Sequence, residues 1–405
     1  MSNRNYTMRQ LLQIQACTNC QACADVCPAV AGSFDGKLSA AYRLEALDRM
    51  VKARTGFWRK LGFAKEPTPE HLRAFSDTVF RCTLCGNCRQ VCPAGLELTK
   101  LWHSIRQDLV AGDAYPGKID TIRDNLHHSH NVFGEDNEER ADWVEDMPDA
   151  PDHGYIRERA EVIYFTGCVS AFFPLAQRIP MAVAKIFDAA QVDFTLLGED
   201  EWCCGFPLLG AGLGGRPDGL PDGLIDGLIE SNVDAIKAAG ARQVVFACPS
   251  CYRMWQEHYP REFEIFHATQ FLERLIRQGR LPLRKLDLTV TYHDPCDLGR
   301  GAGTFDAPRE IVQSIPGIRF VELPNNRENC SCCGGGGNLE MIDAKLSGNI
   351  AANKMKEVRQ TGAEAVVTAC QQCVRTMTTY AKRNKVPVEV MDVVQLLYKA
   401  LDGKN

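Results

Sequence analysis

A chain of 405 residues, 45% hydrophobic and 24% charged, has the composition of an ordinary globular protein with room for two or three domains. Its net charge of −5 argues against a nucleic-acid partner. No stretch approaches the roughly 18 apolar residues that a membrane-spanning helix needs, and no signal peptide is evident. Nineteen cysteines, grouped as CxxC and Cys-Cys pairs in so long a chain, read as metal ligands in a reducing compartment rather than as disulfides.

In chain order, residues 4–16 have helix-forming composition and lead into Cys17, Cys20, Cys23 and Cys27-Pro28. This C-x2-C-x2-C-x3-C-P run is echoed by Cys82, Cys85, Cys88 and Cys92-Pro93. Two such runs form the bacterial ferredoxin signature for 4Fe–4S clusters, in which the fourth cysteine ligates the other cluster. The pairing is therefore Cys17, Cys20 and Cys23 with Cys92, and Cys82, Cys85 and Cys88 with Cys27. Zinc knuckles would instead need two CxxC pairs per site. Between the runs, Leu44, Leu47, Met50 and Val51 recur at helical spacing. Thr68-Pro69-Glu70 has the pattern of a helix start, with Thr68 as cap. A further helix should run from 98 to Gly112. This helical spacing resembles the α-helical ferredoxin domain of succinate dehydrogenase and related subunits.

Residues 113–159, rich in acid, Pro and Asn, read as a linker, in which His127, His128 and His130 are solvated or capping. From 160 onward the chain repeats itself. The first copy has a strand before Cys168, then Cys203-Cys204-Gly205, then a strand before Cys248 and Cys251. The second has a strand before Cys296, then Cys332-Cys333-Gly334, then a strand before Cys370 and Cys373. The echo reaches 266–272 and 391–397, each opening a terminal helix. Apolar strands alternating with helical segments make each copy an α/β unit with a parallel sheet. The cysteines then fall at the carboxyl ends of strands, where such folds place their sites.

This constellation resembles the CCG domain, the cysteine-rich domain of heterodisulfide reductase. Two ferredoxin runs ahead of two CCG domains are similar to the catalytic subunit of membrane-type heterodisulfide reductase and the iron–sulfur subunit of glycolate oxidase. The resemblance implies an α+β multidomain fold: an α-helical ferredoxin domain at 1–112, the linker at 113–159, and CCG domains at 160–280 and 286–401. It implies two further, non-cubane 4Fe–4S clusters. One would take Cys168, Cys203, Cys204, Cys248 and Cys251; the other would take Cys296, Cys332, Cys333, Cys370 and Cys373. These cysteines and His293 are the candidate catalytic residues, and Cys330 has no counterpart in the first repeat. Gly334–337 would let the backbone approach sulfide. Neither Gly210-Ala211-Gly212 nor Gly334–337 sits where a nucleotide loop requires, so no flavin or NAD site is expected on this chain. The function implied is an iron–sulfur oxidoreductase subunit passing electrons between CCG clusters and a partner. That partner would be a flavin-containing dehydrogenase, an electron-transfer flavoprotein or a membrane cytochrome. The alternative is reductive cleavage of a disulfide. The expected location is cytoplasmic, reaching the inner face of the membrane through the partner.

Overall fold

The computed structural model describes residues 6–55, 67–151, 154–213 and 223–402. They form two units. One comprises Met1–Arg123, Pro207–Gly223 and Ser331–Asn353, and the other Asp124–Phe206, Leu224–Cys330 and Lys354–Asn405. Two segments from within the repeats thus group with the N-terminal helices.

The first unit is helical. Helix Ala40–Thr55 buries Leu44 and Leu47, while Met50 and Val51 are half-buried. Helix Pro69–Phe80 starts as its sequence dictates, with the Thr68 hydroxyl accepting from the His71 N–H and Pro in the first turn. Phe75, Val79 and Phe80 form its buried face. Helix Leu98–Ala111 stops at Gly112 and contributes Leu101, Trp102, Ile105 and Leu109 to the same core. Each fully buried aliphatic side chain here contributes about 1.5–3 kcal/mol.

The second unit carries two parallel sheets, built alike. β1 (Val162–Phe165), β2 (Phe194–Thr195), β3 (Gln243–Phe246) and β4 (Glu264–His267) form a sheet in the order β2-β1-β3-β4. β5 (Leu288–His293), β6 (Ile318–Phe320), β7 (Ala365–Thr368) and β8 (Glu389–Asp392) repeat it as β6-β5-β7-β8. β1 and β7 are buried along their whole length, as strands covered on both faces must be. In each sheet the strand order reverses beside β1 or β5, and the crevice beyond that switch point is where α/β folds bind ligands. Cys168 and Cys248 follow β1 and β3; Cys296 and Cys370 follow β5 and β7.

The terminal helices keep the repeat in detail. His267 caps helix Ala268–Arg277, and Asp392 takes the same place ahead of helix Val393–Asp402, accepting from the Val394 N–H at 3.1 Å. Gln270 and Gln395 each bond back to the backbone N–H of the cap.

Residues 113–159 are more ordered than their polarity implies. Helix Lys118–His128 buries Ile119, Ile122 and Leu126, and 3-10 turns at Asn137–Val144 bury Arg140 and Trp143. The apolar residues do recur at three and four, but among so many charges that the pattern is masked.

Candidate functional site

The two ferredoxin-like runs fold alike. Asn19 and Gln21 have φ of 55° and 65°, and their echoes Leu84 and Gly86 have φ of 56° and 78°. These left-handed residues flank Cys20 and Cys85 and curl the chain between thiols. For a leucine that conformation costs about 1 kcal/mol or more, and such strain clusters at ligand sites. Cys17, Cys20, Cys23 and Cys92 line one cavity, walled by Ala41, Leu44, Leu96 and Leu98. The other quartet also converges. Burial, opposed next by Arg43 and joined by the smaller charges of Cys82 and Cys85, sets the Cys27 thiol at about 11. Burial pushes Cys88 up as well, followed by Cys82, Cys85 and Cys27. Thiols so placed shed their protons only to a metal. Cys20 is exposed, whereas its echo Cys85 is buried.

Buried donors surround the second quartet. Arg43 is 2% exposed, and its Nε and Nη2 have no acceptor among the described residues. Its guanidinium lies 5.7 Å from the Trp102 ring. The Trp102 indole N–H lowers the Cys88 thiol yet reaches no acceptor in hydrogen-bond geometry. Buried donors are almost always paired, so these suit an acceptor such as cluster sulfur. The residues therefore fit iron–sulfur clusters. Arg106 is largely met, with only its Nε lacking a partner among the described residues. Its buried guanidinium donates to the carbonyls of Val79, Phe80, Cys82, Gly210 and Gly337.

The glycine stretches serve this packing as well. At Gly337 (φ 64°) a Cβ would lie 2.3 Å from the Cys82 carbonyl oxygen. At Gly212 (φ 81°) it would lie 2.6 Å from the Arg106 backbone. Close backbone approach demands glycine at both positions.

In the first repeat all five cysteines meet within one unit. Their thiols act on one another in series: Cys168 with Cys203, Cys203 with Cys204, Cys204 with Cys251 and Cys251 with Cys248. The outcome is uneven. Cys203 raises Cys168, and Cys204 and Cys248 raise Cys251. The neighbouring Cys203 and Cys251 thiols pull Cys204 down to about 6. Converging soft thiolates at a switch point suit iron–sulfur chemistry.

Sequence reasoning missed the polar frame around this site. Arg140, buried in the expected linker, pairs with Glu201 at 2.8 Å and reaches the Cys168 sulfur at 3.9 Å. Glu201 accepts from the Thr166 and Gly167 N–H groups at 2.7 and 2.8 Å, pinning the turn before Cys168. Burial still holds its carboxyl above the usual range, against Arg140 and those donors. The His130 carbonyl accepts from the Cys203 N–H at 2.8 Å, and its ring stacks on Trp202 at 3.5 Å. His130 is thus a structural brace rather than a solvated side chain. Only Glu201, in Glu-Trp-Cys-Cys, carried any signal.

The ten repeat cysteines do not all fall in one unit. Cys296, Cys370 and Cys373 lie in the larger unit, and Cys332 and Cys333 in the other. In the smaller, the Cys332 and Cys333 sulfurs accept from the Gly334 and Gly335 N–H groups at 3.3 and 3.5 Å. In the larger, Cys370 accepts from the Cys373 N–H at 3.4 Å, and Arg300 donates to the Cys296 sulfur at 3.2 Å. Asp294 stabilises its turn. It takes both terminal nitrogens of Arg309 at 2.7 and 2.9 Å, and the Arg327 N–H at 2.8 Å. His293 is buried, with Nδ1 3.4 Å from the Cys330 sulfur, and the Lys354 ammonium lies 3.8 Å from that sulfur and 2.7 Å from Glu357. Cys330 is pulled down by Lys354 and His293, although burial, the largest influence, opposes them.

Among the described residues no helix is long and apolar enough to cross a membrane.

The CCG cysteine-rich domain family matches residues 162–256 and 290–378, and the 4Fe-4S dicluster domain family matches 13–96. The D-type subunit of the dihydromethanophenazine:CoB–CoM heterodisulfide reductase of Methanosarcina acetivorans is 35% identical, over 99% of this chain and 97% of its own length. The EtfAB:quinone oxidoreductase of Syntrophomonas wolfei is 25% identical, over 98% of this chain and 60% of its own length. Among solved structures, a hypothetical protein from Helicobacter pylori shares the fold. Its TM-score is 0.58 at 10% identity, covering 91% of this chain and 68% of that one.

Proposed function

Because this chain belongs to the heterodisulfide reductase family of iron–sulfur oxidoreductase subunits, we propose that it relays electrons between a partner and the cysteine sites of its repeats. Cys17, Cys20, Cys23 and Cys92 hold one cubane 4Fe–4S cluster, and Cys82, Cys85, Cys88 and Cys27 hold the other. Cys168, Cys203, Cys204, Cys248 and Cys251 hold a non-cubane cluster; the matching motif of Cys296, Cys332, Cys333, Cys370 and Cys373 is the ligand set of a second. When bound, such clusters supply one-electron carriers whose potentials follow charge, hydrogen bonding and exposure. The chain's own part is to hold deprotonated sulfur, exclude water and position buried cations beside it. The single observation that carries this reading is the gathering of five cysteines, each acting on the next one's thiol, at the first sheet's switch point.

The partner is a flavin-containing dehydrogenase, an electron-transfer flavoprotein or a membrane cytochrome, and the name of the Syntrophomonas relative favours the second. The chain works in the cytoplasm and reaches the inner face of the membrane through that partner. A second reading is favoured by the full-length likeness to a heterodisulfide reductase component and by the five cysteines retained in both repeats. In it the repeats cleave a mixed disulfide: two electrons and two protons break the S–S bond and yield two thiols.

An anaerobic assay with reduced viologen as donor separates the two. Viologen oxidation dependent on an added mixed disulfide, lost in Cys204→Ser, establishes cleavage. Reduction of an electron-transfer flavoprotein or quinone partner without disulfide turnover establishes the relay. If the iron-loaded chain does neither, the proposal falls.

A further inference from the structure

The two ferredoxin-type quartets share a spacing and a turn geometry, but not their surroundings. Cys20 is exposed, and the cavity of its quartet is walled by Ala41, Leu44, Leu96 and Leu98. The other quartet is framed by buried donors. Arg43 on helix Ala40–Thr55 keeps a fully buried guanidinium whose Nε and Nη2 have no acceptor among the described residues, and it lies close enough to Cys27 to favour its thiolate. Trp102 on helix Leu98–Ala111 buries an indole N–H that has no acceptor among the described residues and that lowers the Cys88 thiol. The two side chains lie together, the guanidinium 5.7 Å from the indole ring. Desolvating a guanidinium is costly, and so is leaving a buried donor unmet. A fold keeps both only where a negative acceptor meets them.

We infer that Arg43 and Trp102 are positioning residues: they donate hydrogen bonds to sulfur at the Cys27, Cys82, Cys85 and Cys88 site and hold its potential above that of the Cys17, Cys20, Cys23 and Cys92 site. The inference rests on the ligand grouping proposed above. Adding one electron to a cluster adds one negative charge, and no bond forms or breaks. A buried cation and an N–H donor stabilise that charge more than the oxidised state, because the local dielectric is low. Electrons therefore settle on the interior site, and the site with the exposed Cys20 exchanges them with a partner. Arg106 adds to the same bias more weakly, since its guanidinium is already shared among five carbonyls.

The test is a redox titration of the purified, iron-loaded full chain with dithionite, following both ferredoxin-type signals by electron paramagnetic resonance. Loss of one signal in Cys85→Ser assigns the signals; loss of neither would overturn the ligand grouping itself. Arg43→Gln should lower the reduced-to-oxidised ratio of the Cys82 signal at least tenfold at fixed potential, about 59 mV for one electron. The Cys17 signal should stay put. Trp102→Phe, which keeps the ring and loses the N–H, should move the same signal in the same direction by less. Arg43→Lys guards against misfolding, since it retains the charge and should restore most of the shift with unchanged iron content. Unmoved potentials in all three variants would overturn the inference, as would equal shifts of both signals.

Discussion

The two α/β repeats have one scaffold and two polar environments. Both sheets run in the same strand order, both place cysteines after the same two strands, and both open a terminal helix with a buried cap. Their polar frames differ. In the first, Arg140 and Glu201 form an ion pair against Cys168, and five thiols act on one another in sequence. In the second, the pair beside the first cysteine is Asp294 with Arg309, while Arg300 reaches Cys296. A buried Lys354 and His293 flank Cys330, which has no counterpart in the first repeat. Duplication has kept the geometry that gathers sulfur, and divergence has worked on the charges around it.

The largest effect that would break this comparison is loss of a cluster. Cys204→Ser should remove about four iron per chain if the first repeat's thiols act as one set. Full iron retention would mean that they do not. Next is the first repeat's ion pair. Glu201→Gln leaves Arg140 buried without its countercharge and should cost about 3–5 kcal/mol, read by denaturant unfolding. Loss below about 1 kcal/mol would show the pair to be a bystander. A subtler difference lies in the caps. Burial lowers the His267 pKa to about 3, so the folded state keeps this imidazole neutral, whereas the unfolded chain takes up a proton near pH 6.5. The native state thus binds fewer protons, and its stability falls as the pH drops from about 6.5 toward 3, by up to about 1.4 kcal/mol per unit. His267→Asn should flatten that slope, and an unchanged slope in thermal unfolding would contradict it. Smallest of all, Cys330→Ser should leave the iron content unchanged, because Cys330 stands outside both five-cysteine motifs.

The sequence made the sulfur legible and left the polar frame obscure. Cysteine spacing marks ligands directly, and apolar strands before Cys168, Cys248, Cys296 and Cys370 announce the sheets. The caps His267 and Asp392 were visible as an echo between the two copies. Arg140 was hidden because it lies in a polar segment, and its partner Glu201 is 61 positions away along the chain. Nothing in the sequence shows that the Cys82 backbone passes beside Gly337. Arg43 and Trp102 looked like ordinary helix residues. Only burial together with unmet hydrogen bonds distinguishes them.

The central claim is that the repeats, and not the ferredoxin runs alone, hold iron. Iron and acid-labile sulfide, counted on anaerobically purified full-length protein, test it most directly. About sixteen iron per chain is the expected result for four 4Fe–4S clusters. A count near eight, with zinc in the remaining sites, would contradict the account.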